Sequence, residues 1–510
     1  MPRPLASVLA AIAAAGAAAI ALSATGGDDG SVATASRTQS VEAAGASVAV
    51  DPAASEPAPT ATEVLPAVPG SRAALVRRLD ALVADPEFDT RSVLAVVIRD
   101  EHGRSLVEHN AGVPVMPAST LKLVTAAAAL QLEGTGGRLD TDVLVDGEVT
   151  ASGALVGDLV LVAGGDPTLA SEAYRRYVYP ARPASHLEDL ADAIVAAGVR
   201  QVLGDLVVDD LAYGEATLPQ GWKDRYLSDF DGRFISGLTV DASIDLFFDP
   251  PYGVPLNEVQ TEQLLDEERL ALHHAPDPAL EAGRSLYGLL ADRGVALHGT
   301  VVRAVGPIEG EPMATLPSPR MRDILQHTVK RSDNHAADTL FRMVGAQVTG
   351  QSSWVSSDQA VRLLLGDLGV DFTGAVLNDG SGLSRDDRVT ADLLAGLDVA
   401  MNQGPLGPAW RGLMSVAGVD GTLEDRLVGT LADGRFRAKT GTLTDVRAIA
   451  GSVIGPAGTR YHLAVIGNGG EVWRTNPLID QLVLALSEDL WCDRPVVDPP
   501  ADVVNGCVRG

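Results

Sequence analysis

Three short motifs, far apart in a chain of 510 residues, restrict the fold more than any other feature of this sequence. They occupy residues 119–122, 332–334 and 439–441 and read Ser-Thr-Leu-Lys, Ser-Asp-Asn and Lys-Thr-Gly. The first opens a run of alanines and leucines, which are strong helix formers. The second lies between two helical segments, and the third lies within a strand. Each motif is common alone, but the ordered set in these contexts is much more specific.

Ser119 and Lys122 combine a nucleophile with a candidate base. Residues three apart face the same side of a helix, with about 5–6 Å between Cβ atoms, so the amine can reach the hydroxyl. A buried lysine has a lowered pKa and can act as a base. The alternative is a helix-capping serine followed by a solvated lysine, and the pair alone does not decide between them.

The other two motifs are also ambiguous when taken singly. Residues 332–334 form an ordinary turn signal as well as a candidate site. In the third motif, a glycine inside a strand indicates close approach by a ligand or by backbone. The alternative for Lys439 is a lysine at a surface edge of the sheet.

Both ends of the chain contribute to one predicted layered unit. Ser71 is a plausible N-cap for an amphipathic helix with Leu75, Leu79 and Leu82 on one face. The predicted strands, of which the first two form a hairpin, cover residues 92–100, 104–110, 435–443, 446–455 and 459–469, and a last helix covers 476–490. We expect a sheet built from both chain ends and covered by the first and last helices.

The central region alternates helical and strand-like pieces, such as 187–198 followed by 202–210. The whole chain is therefore predicted to be α/β or α+β with an inserted unit. Residues 247–278 are polar and weakly periodic, and the sequence assigns them no structure.

The N-terminus predicts export. Arg3 precedes an uncharged, alanine-rich stretch from Leu5 to Ala24 that has no polar face. The stretch is close to spanning length, but alanine is only weakly apolar, so residues 1–24 are either cleaved or kept as an anchor. We favour cleavage as a signal peptide. Residues 25–70, rich in small residues and proline, predict a flexible linker.

Charge and cysteine content limit the partners. The formal net charge of −28, from 67 acidic and 39 basic side chains, repels phosphate backbones and argues against nucleic acid. Cys492 and Cys507 are predicted to form one disulfide that pins the tail in an oxidising environment. Two thiols without a nearby histidine do not complete a zinc site. No metal and no cofactor is predicted.

From roughly residue 71 to residue 490, the sequence resembles the class C low-molecular-mass penicillin-binding proteins, a family of D-alanyl-D-alanine carboxypeptidases and endopeptidases. The blocks that carry this resemblance, in the family's order, are PASTLKLVTAAAAL, GDLVLVAGGDPTL, KRSDNHAADTLFRM, NDGSGLSR, SVAGVDGTL and AKTGTL. Ser119 and Ser332 are 213 positions apart, which is more than a class A β-lactamase allows. This separation implies a large insertion after the nucleophile helix.

The resemblance implies a serine β-lactamase/transpeptidase-like domain, with an antiparallel five-stranded sheet flanked by helices. This domain would comprise residues 71–138 and 314–490. Residues 139–313 would form one or more inserted accessory domains, and residues 491–510 the disulfide-pinned tail.

The resemblance also implies a role for each motif residue. Neutral Lys122 takes the proton of Ser119, which attacks the carbonyl between two D-alanines, and Ser332 relays a proton to the leaving amine. The backbone N–H groups of Ser119 and Thr442 stabilise the oxyanion. The residues implied to bind substrate are Asn334, Lys439, Thr440, Gly441, Thr442 and Arg385. Arg385 fits a solvent-exposed salt bridge equally well.

The implied substrates are peptidoglycan stem peptides and the implied covalent inhibitors are β-lactams, in an extracytoplasmic location that allows peripheral membrane association. Two alternatives stay open. One is a wall-binding protein that keeps the fold without catalysis. The other is a β-lactamase, which is less favoured because no E-x-x-x-N element for deacylation is recognisable. The family usually has asparagine where this chain has Ser243, which leaves the shape of the accessory region open.

Overall fold

The computed structural model describes residues 72–88, 93–214, 218–228, 231–248 and 270–489. The predicted signal peptide, linker and N-cap Ser71, and the tail with Cys492 and Cys507, lie outside these residues. Within the described part of the chain, no helix is both long and apolar enough to cross a bilayer.

The described elements alternate along the chain. The helices are α1 (Arg72–Val83), α2 (Lys122–Glu133), α3 (Glu172–Tyr177), α4 (Leu187–Ala196), α5 (Arg225–Ser228), α6 (Pro278–Asp292), α7 (Met321–Lys330), α8 (Asn334–Thr349), α9 (Trp354–Gly366), α10 (Ala391–Gln403), α11 (Gly407–Leu413) and α12 (Thr475–Ser487). The strands are β1 (Val93–Arg99), β2 (Ser105–His109), β3 (Asp140–Val149), β4 (Ala154–Val162), β5 (Leu169–Ala170), β6 (Ser185–His186), β7 (Gln201–Val202), β8 (Leu206–Asp209), β9 (Ile244–Phe248), β10 (Leu270–His274), β11 (Ala296–Leu297), β12 (Val301–Arg303), β13 (Ala314–Pro317), β14 (Ser415–Val416), β15 (Phe436–Leu443), β16 (Val446–Ile454) and β17 (Arg460–Asn468).

The first sheet joins the two ends of the chain, as predicted. Its strand order is β14-β15-β16-β17-β1-β2, and all neighbours are antiparallel. Strands β1 and β17 pair in register from Val93 opposite Asn468 to Arg99 opposite His462. The five predicted strands are all present, but the sheet has a sixth strand, β14. Two residues are too short to show the alternation that predicts a strand.

Helices cover both faces of this sheet, which explains why its central strands are apolar throughout. In β1, Val96 and Ile98 belong to a core shared with α1 and α12. Ala95 and Val97 belong to a second core, on the other face, shared with α2 and α10. As predicted, the first and last helices, α1 and α12, cover the sheet, and they do so on one face. Helix α2, which follows Ser119, covers the other face together with α10.

A second sheet forms the core of the insertion. Its main path is β11-β7-β4-β3-β13, and β8 joins β4 to β12. Helices α4 and α6 pack on it through buried leucines such as Leu190 and Leu286. The predicted helix at 187–198 and the following strands correspond to α4, β7 and β8.

The second sheet also includes a strand that follows residue 313. Strand β13 pairs antiparallel with β3, so residues up to Pro317 belong to the second sheet. The two connections to the first unit lie side by side, because Leu139 N donates to Ser318 Oγ at 2.9 Å and Ser318 N donates to Leu139 O at 3.1 Å. Part of the unassigned stretch 247–278 forms the antiparallel pair β9 and β10.

Candidate active site

Ser119 lies in a 3₁₀ turn, Ala118–Leu121, that runs directly into α2. The sequence predicted a helix start here, and the structure refines it to this tighter turn. Ala118 has φ of 49°, in the left-handed region that a non-glycine residue adopts only at a cost of about 1–3 kcal/mol. Thr120 Oγ1 donates to Pro117 O at 2.7 Å and holds the turn closed. Ser119, the predicted nucleophile, is thus presented from a strained, fixed backbone.

Lys122 is fully buried at the first position of α2. Its Nζ lies 3.0 Å from Ser119 Oγ, 2.7 Å from Asn334 Oδ1 and 2.7 Å from Ser381 O. These three acceptors match the three N–H bonds of a protonated amine. Loss of one proton leaves a lone pair in a position to accept from the serine, so the geometry suits a base.

The Ser-Asp-Asn motif adjoins this pair at the start of α8. Asn334 is the first residue of the helix, and Asp333 caps it by accepting from Ala336 N at 3.0 Å. Asn334 accepts from Lys122 through Oδ1 and donates through Nδ2 to Asp231 O at 2.9 Å. Ser332 has φ of 59° and is largely buried. The first two motifs therefore meet through a direct hydrogen bond.

The Lys-Thr-Gly motif lies on β15, next to the nucleophile turn. Lys439 is fully buried, so it is not the surface edge lysine that the sequence left open, and its Nζ donates to Thr440 O at 2.7 Å. Burial, and secondly the charge of Lys122, hold the pKa of Lys439 well below its usual range. Thr440 Oγ1 donates to Thr422 Oγ1 at 2.8 Å.

Gly441 is required because two backbones approach closely at this point. A Cβ at Gly441 would lie 2.7 Å from Pro117 O and 3.1 Å from Thr120 N. The strand glycine therefore marks approach by backbone, one of the two readings of the sequence pattern. Thr442, the next residue of the motif block, is exposed on the same strand.

A loop that sequence reasoning did not place in the site completes it. Residues 379–384 wrap around the Asp379 carboxylate, which accepts from the backbone N–H groups of Ser381, Gly382 and Ser384 at 3.0, 2.6 and 2.8 Å. Trp222 Nε1 donates to the same carboxylate at 2.8 Å. The loop presents Ser381 O to the buried lysine. The signal was the NDGSGLSR block, from which the sequence singled out only Arg385.

Burial and the neighbouring carboxyl groups have opposite effects on the pKa of Lys122. Burial lowers the pKa of Lys122 from 10.5 to about 8, and the charges of Asp338 and Asp379 act in the opposite direction. Burial, and then the charge of Asp379, raise the pKa of Asp338 and Asp387 well above the usual range. The site therefore favours an amine that exchanges its proton near neutral pH.

Arg385 lies at the edge of the site in an ion pair. Its Nη2 donates to both carboxylate oxygens of Asp445 at 2.5 Å, and the Arg385 side chain is 18% exposed. Asp445 follows β15 in the turn to β16. The salt bridge that the sequence allowed is present, and it ties the 379–385 loop to the strand of the third motif.

A serine hydroxyl beside a fully buried lysine, an asparagine at a helix start and a Lys-Thr-Gly strand define the site of a serine acyl-transfer enzyme. The sequence profile of the D-Ala-D-Ala carboxypeptidase 3 (S13) family matches residues 75–245 and 266–488. The chain belongs to this family of serine peptidases.

Two curated relatives are each 31% identical to the chain. The D-alanyl-D-alanine carboxypeptidase of Actinomadura sp. (strain R39) aligns over 448 residues, covering 77% of this chain and 80% of the relative. Carboxypeptidase DacB of Mycolicibacterium smegmatis aligns over 445 residues, covering 85% and 88%.

A solved structure shares the fold. Penicillin binding protein 4 (dacB) from Haemophilus influenzae superposes with a TM-score of 0.65 at 20% identity, over 79% of this chain and 99% of that one. The same protein complexed with a β-lactam gives a TM-score of 0.60 at 21% identity, over 80% and 99%. The predicted family, the predicted fold class and the predicted class of enzyme are confirmed. The roles of individual site residues stay predictions.

Proposed function

We propose that this protein is a serine-type D-alanyl-D-alanine carboxypeptidase or endopeptidase that cleaves peptidoglycan stem peptides through an acyl-enzyme on Ser119. The observation that carries the proposal is the 3.0 Å contact between Ser119 Oγ and the fully buried amine of Lys122. Family membership and the names of the two 31% identical carboxypeptidases support the substrate class. The Haemophilus protein, which shares the fold, has been solved in complex with a β-lactam, and we propose that β-lactams acylate Ser119 in this chain.

In the first step, neutral Lys122 takes the proton of Ser119 as Oγ forms a bond to the carbonyl carbon between the two D-alanines. The bond to the terminal D-alanine nitrogen then breaks, and that nitrogen receives a proton through Ser332. Water later attacks the ester carbonyl, the bond from that carbon to Ser119 Oγ breaks, and Oγ takes up a proton that originates from the water. Acylation by a β-lactam follows the same first step.

The oxyanion and the substrate's ends need fixed donors. The backbone N–H groups of Ser119 and Thr442 would bind the oxyanion, because β15 lies against the nucleophile turn at Gly441. Lys439 and Thr440 would meet the terminal carboxylate. The Asn334 amide would hold the acyl part of the peptide, with Arg385 nearer its side chain.

The alanine-rich N-terminus supports export, and the chemistry supports action outside the cytoplasm, on the cell wall. If it is not cleaved, the N-terminus would anchor the protein to the membrane. No nucleic acid and no cofactor enters the proposed reaction. A disulfide between Cys492 and Cys507 fits that location.

Labelling with a fluorescent penicillin tests the nucleophile. We expect rapid labelling of the wild type and none of Ser119→Ala, which removes the attacking oxygen. The adduct should persist for minutes or longer, whereas turnover of the penicillin within seconds would support a β-lactamase. Equal labelling of both proteins would show that another residue is the nucleophile.

Mass spectrometry of the products distinguishes carboxypeptidase from endopeptidase activity. The protein is incubated separately with a pentapeptide that ends in D-Ala-D-Ala and with cross-linked muropeptides, and Ser119→Ala is the control. Loss of D-alanine marks carboxypeptidase action, and separation of the cross-linked chains marks endopeptidase action. If penicillin labels the protein but neither substrate is cleaved, a wall-binding role replaces the enzyme.

A further inference from the structure

Two sequence blocks of the insertion have no part in the chemistry above, yet both reach the Ser-Asp-Asn motif. The first is the end of the GDLVLVAGGDPTL block, residues 164–169. The second is the turn of residues 239–243. The first block reaches Asp333 through Arg182, and the second contacts His335. These two residues flank Asn334, which binds Lys122 directly.

Asp166 organises the first block. Its carboxylate accepts from Thr168 N at 2.7 Å, from Thr168 Oγ1 at 2.6 Å and from Ser185 Oγ. These bonds fix the turn so that Pro167 O accepts from Arg182 Nη2 at 2.8 Å. The block therefore serves as a support for one buried arginine, whose side chain is 3% exposed.

Arg182 in turn contacts the motif itself. Its Nη2 lies 3.3 Å from Asp333 Oδ2, and His327 Nε2 lies 3.4 Å from the same oxygen. Burial opposes ionisation of Asp333, but Arg182 and His327 outweigh it and hold the pKa of Asp333 well below its usual range. The other carboxylate oxygen of Asp333 caps α8 at Ala336 N. One carboxylate thus joins the insertion to the helix start.

The second block, residues 239–243, contacts His335, the residue after Asn334. Asp241, Ala242 and Ser243 all have positive φ, at 55°, 55° and 59°. Ser243 Oγ lies 3.4 Å from His335 Nε2. Three consecutive non-glycine residues in this region persist only where the surroundings over-determine them, which is characteristic of functional sites.

We propose that Arg182 is a positioning residue, which holds Asp333 so that Ser332 and Asn334 keep their places beside Lys122. This inference rests on the proposed function. Ser332 has φ of 59°, a conformation that needs external support. Arg182 supplies it from the insertion, through a charged contact on the adjacent residue, without touching the reacting atoms.

The test uses the full chain and three variants. Arg182→Met removes the guanidinium, Arg182→Lys keeps the charge, and Arg303→Met is the matched control. Arg303 is also an insertion arginine in a carboxylate pair, with Asp210 and Asp277, but it does not touch the motif. The measurements are kcat and KM for a D-Ala-D-Ala peptide, the second-order rate of acylation by penicillin, and the thermal midpoint.

We expect Arg182→Met to lower kcat and the acylation rate by about 10- to 100-fold, because small displacements of reacting groups have effects of that size. KM should change by less than about threefold, because Lys439 and Thr440 bind the carboxylate from a different element. Arg182→Lys should recover part of the rate. Arg303→Met should lower the thermal midpoint while the folded protein keeps its acylation rate.

Several outcomes overturn the inference. The inference is wrong if a folded Arg182→Met variant acylates at the wild-type rate. It is also wrong if Arg303→Met loses as much of the acylation rate as Arg182→Met. If Arg182→Met does not fold, Asp333→Asn, which keeps the cap on Ala336 N, replaces it and must show the same loss of kcat. A wild type without labelling or cleavage overturns the proposed function as well, so the two failures are distinguishable.

Discussion

Lys122 shows how strongly position controls the chemistry of one side chain. Removal from water favours its neutral form, while buried carboxylates nearby favour the charged form, and the balance puts its pKa at about 8. Its neighbours on Ser119, Asn334 and Ser381 come from three different segments. A lysine on an exposed helix would have neither the lowered pKa nor a fixed direction.

The pH dependence of acylation should therefore follow Lys122. The pKa falls from 10.5 to about 8 on folding, so the fraction of neutral amine that can act as a base decreases as the pH falls below 8. We expect the rate of penicillin acylation to rise with pH through about 8, and to fall nearly tenfold per unit well below it. Stopped-flow measurements between pH 6 and 9.5 check this. A rate that is independent of pH, or Lys122→Met acylating normally, would contradict the assignment.

Gly441 offers a prediction at a single backbone position. In Gly441→Ala the new methyl would lie 2.7 Å from Pro117 O, so β15 and the nucleophile turn must separate. We expect acylation at least about tenfold slower, because the oxyanion donors move apart. Gly396→Ala in α10 is the control, since a Cβ there meets nothing within 4 Å. Equal acylation rates in the two variants would show that the close approach has no catalytic role.

At the scale of elements, the candidate site combines one strand, β15, with three short segments that lie outside the middle of any helix. These are a 3₁₀ turn, the first turn of α8 and the 379–384 loop. The 379–384 loop has no repeating backbone hydrogen bonds and depends on the carboxylate of Asp379 instead. Four donors converge on this one buried group. The loop should therefore be sensitive to replacement of even one of the two carboxylate oxygens.

Asp379→Asn should test that dependence. An amide presents N–H donors toward backbone N–H groups that need acceptors, so at least one buried donor loses its partner. We expect a loss of about 1–3 kcal/mol in the free energy of unfolding, measured in urea, together with slower penicillin acylation. Asp386→Asn, at an exposed carboxylate two residues beyond the loop, should change stability by less than about 0.5 kcal/mol. Equal stabilities would contradict the role of Asp379.

The sequence predicted elements that have strong periodicity and residues that belong to compact motifs. Leu75 and Leu79 marked α1, and residues 439–441 marked a strand, because these patterns are local. Asp338 and Asp379 escaped prediction, since their roles arise from contacts between segments far apart in the chain. The same holds for Arg182, whose partner Asp333 lies in a different unit. Strand β14 was not predicted, because its two residues are too few to show the alternation of apolar and polar side chains that indicates a strand.

At the scale of the whole molecule, the candidate active site draws on residues of both the main unit and the insertion. The sheet of the chain ends packs on two cores, one of which also includes Tyr213 from the insertion, and the insertion has another core around Leu286. The insertion nevertheless supplies Asp231 O to Asn334, Trp222 to Asp379 and Arg182 to Asp333. We therefore expect activity to depend on both units.

In denaturant, activity should be lost when either the insertion or the main unit unfolds. Leu286→Ala and Leu482→Ala each remove a fully buried side chain, from the insertion and from the main core, at a cost of about 2–5 kcal/mol. We expect both to shift the urea midpoint of penicillin labelling downward, in parallel with circular dichroism. Leu363→Ala, at a position that is 60% exposed, should shift neither. Labelling that survives beyond the unfolding of the insertion would show that the main unit holds the motif residues without it.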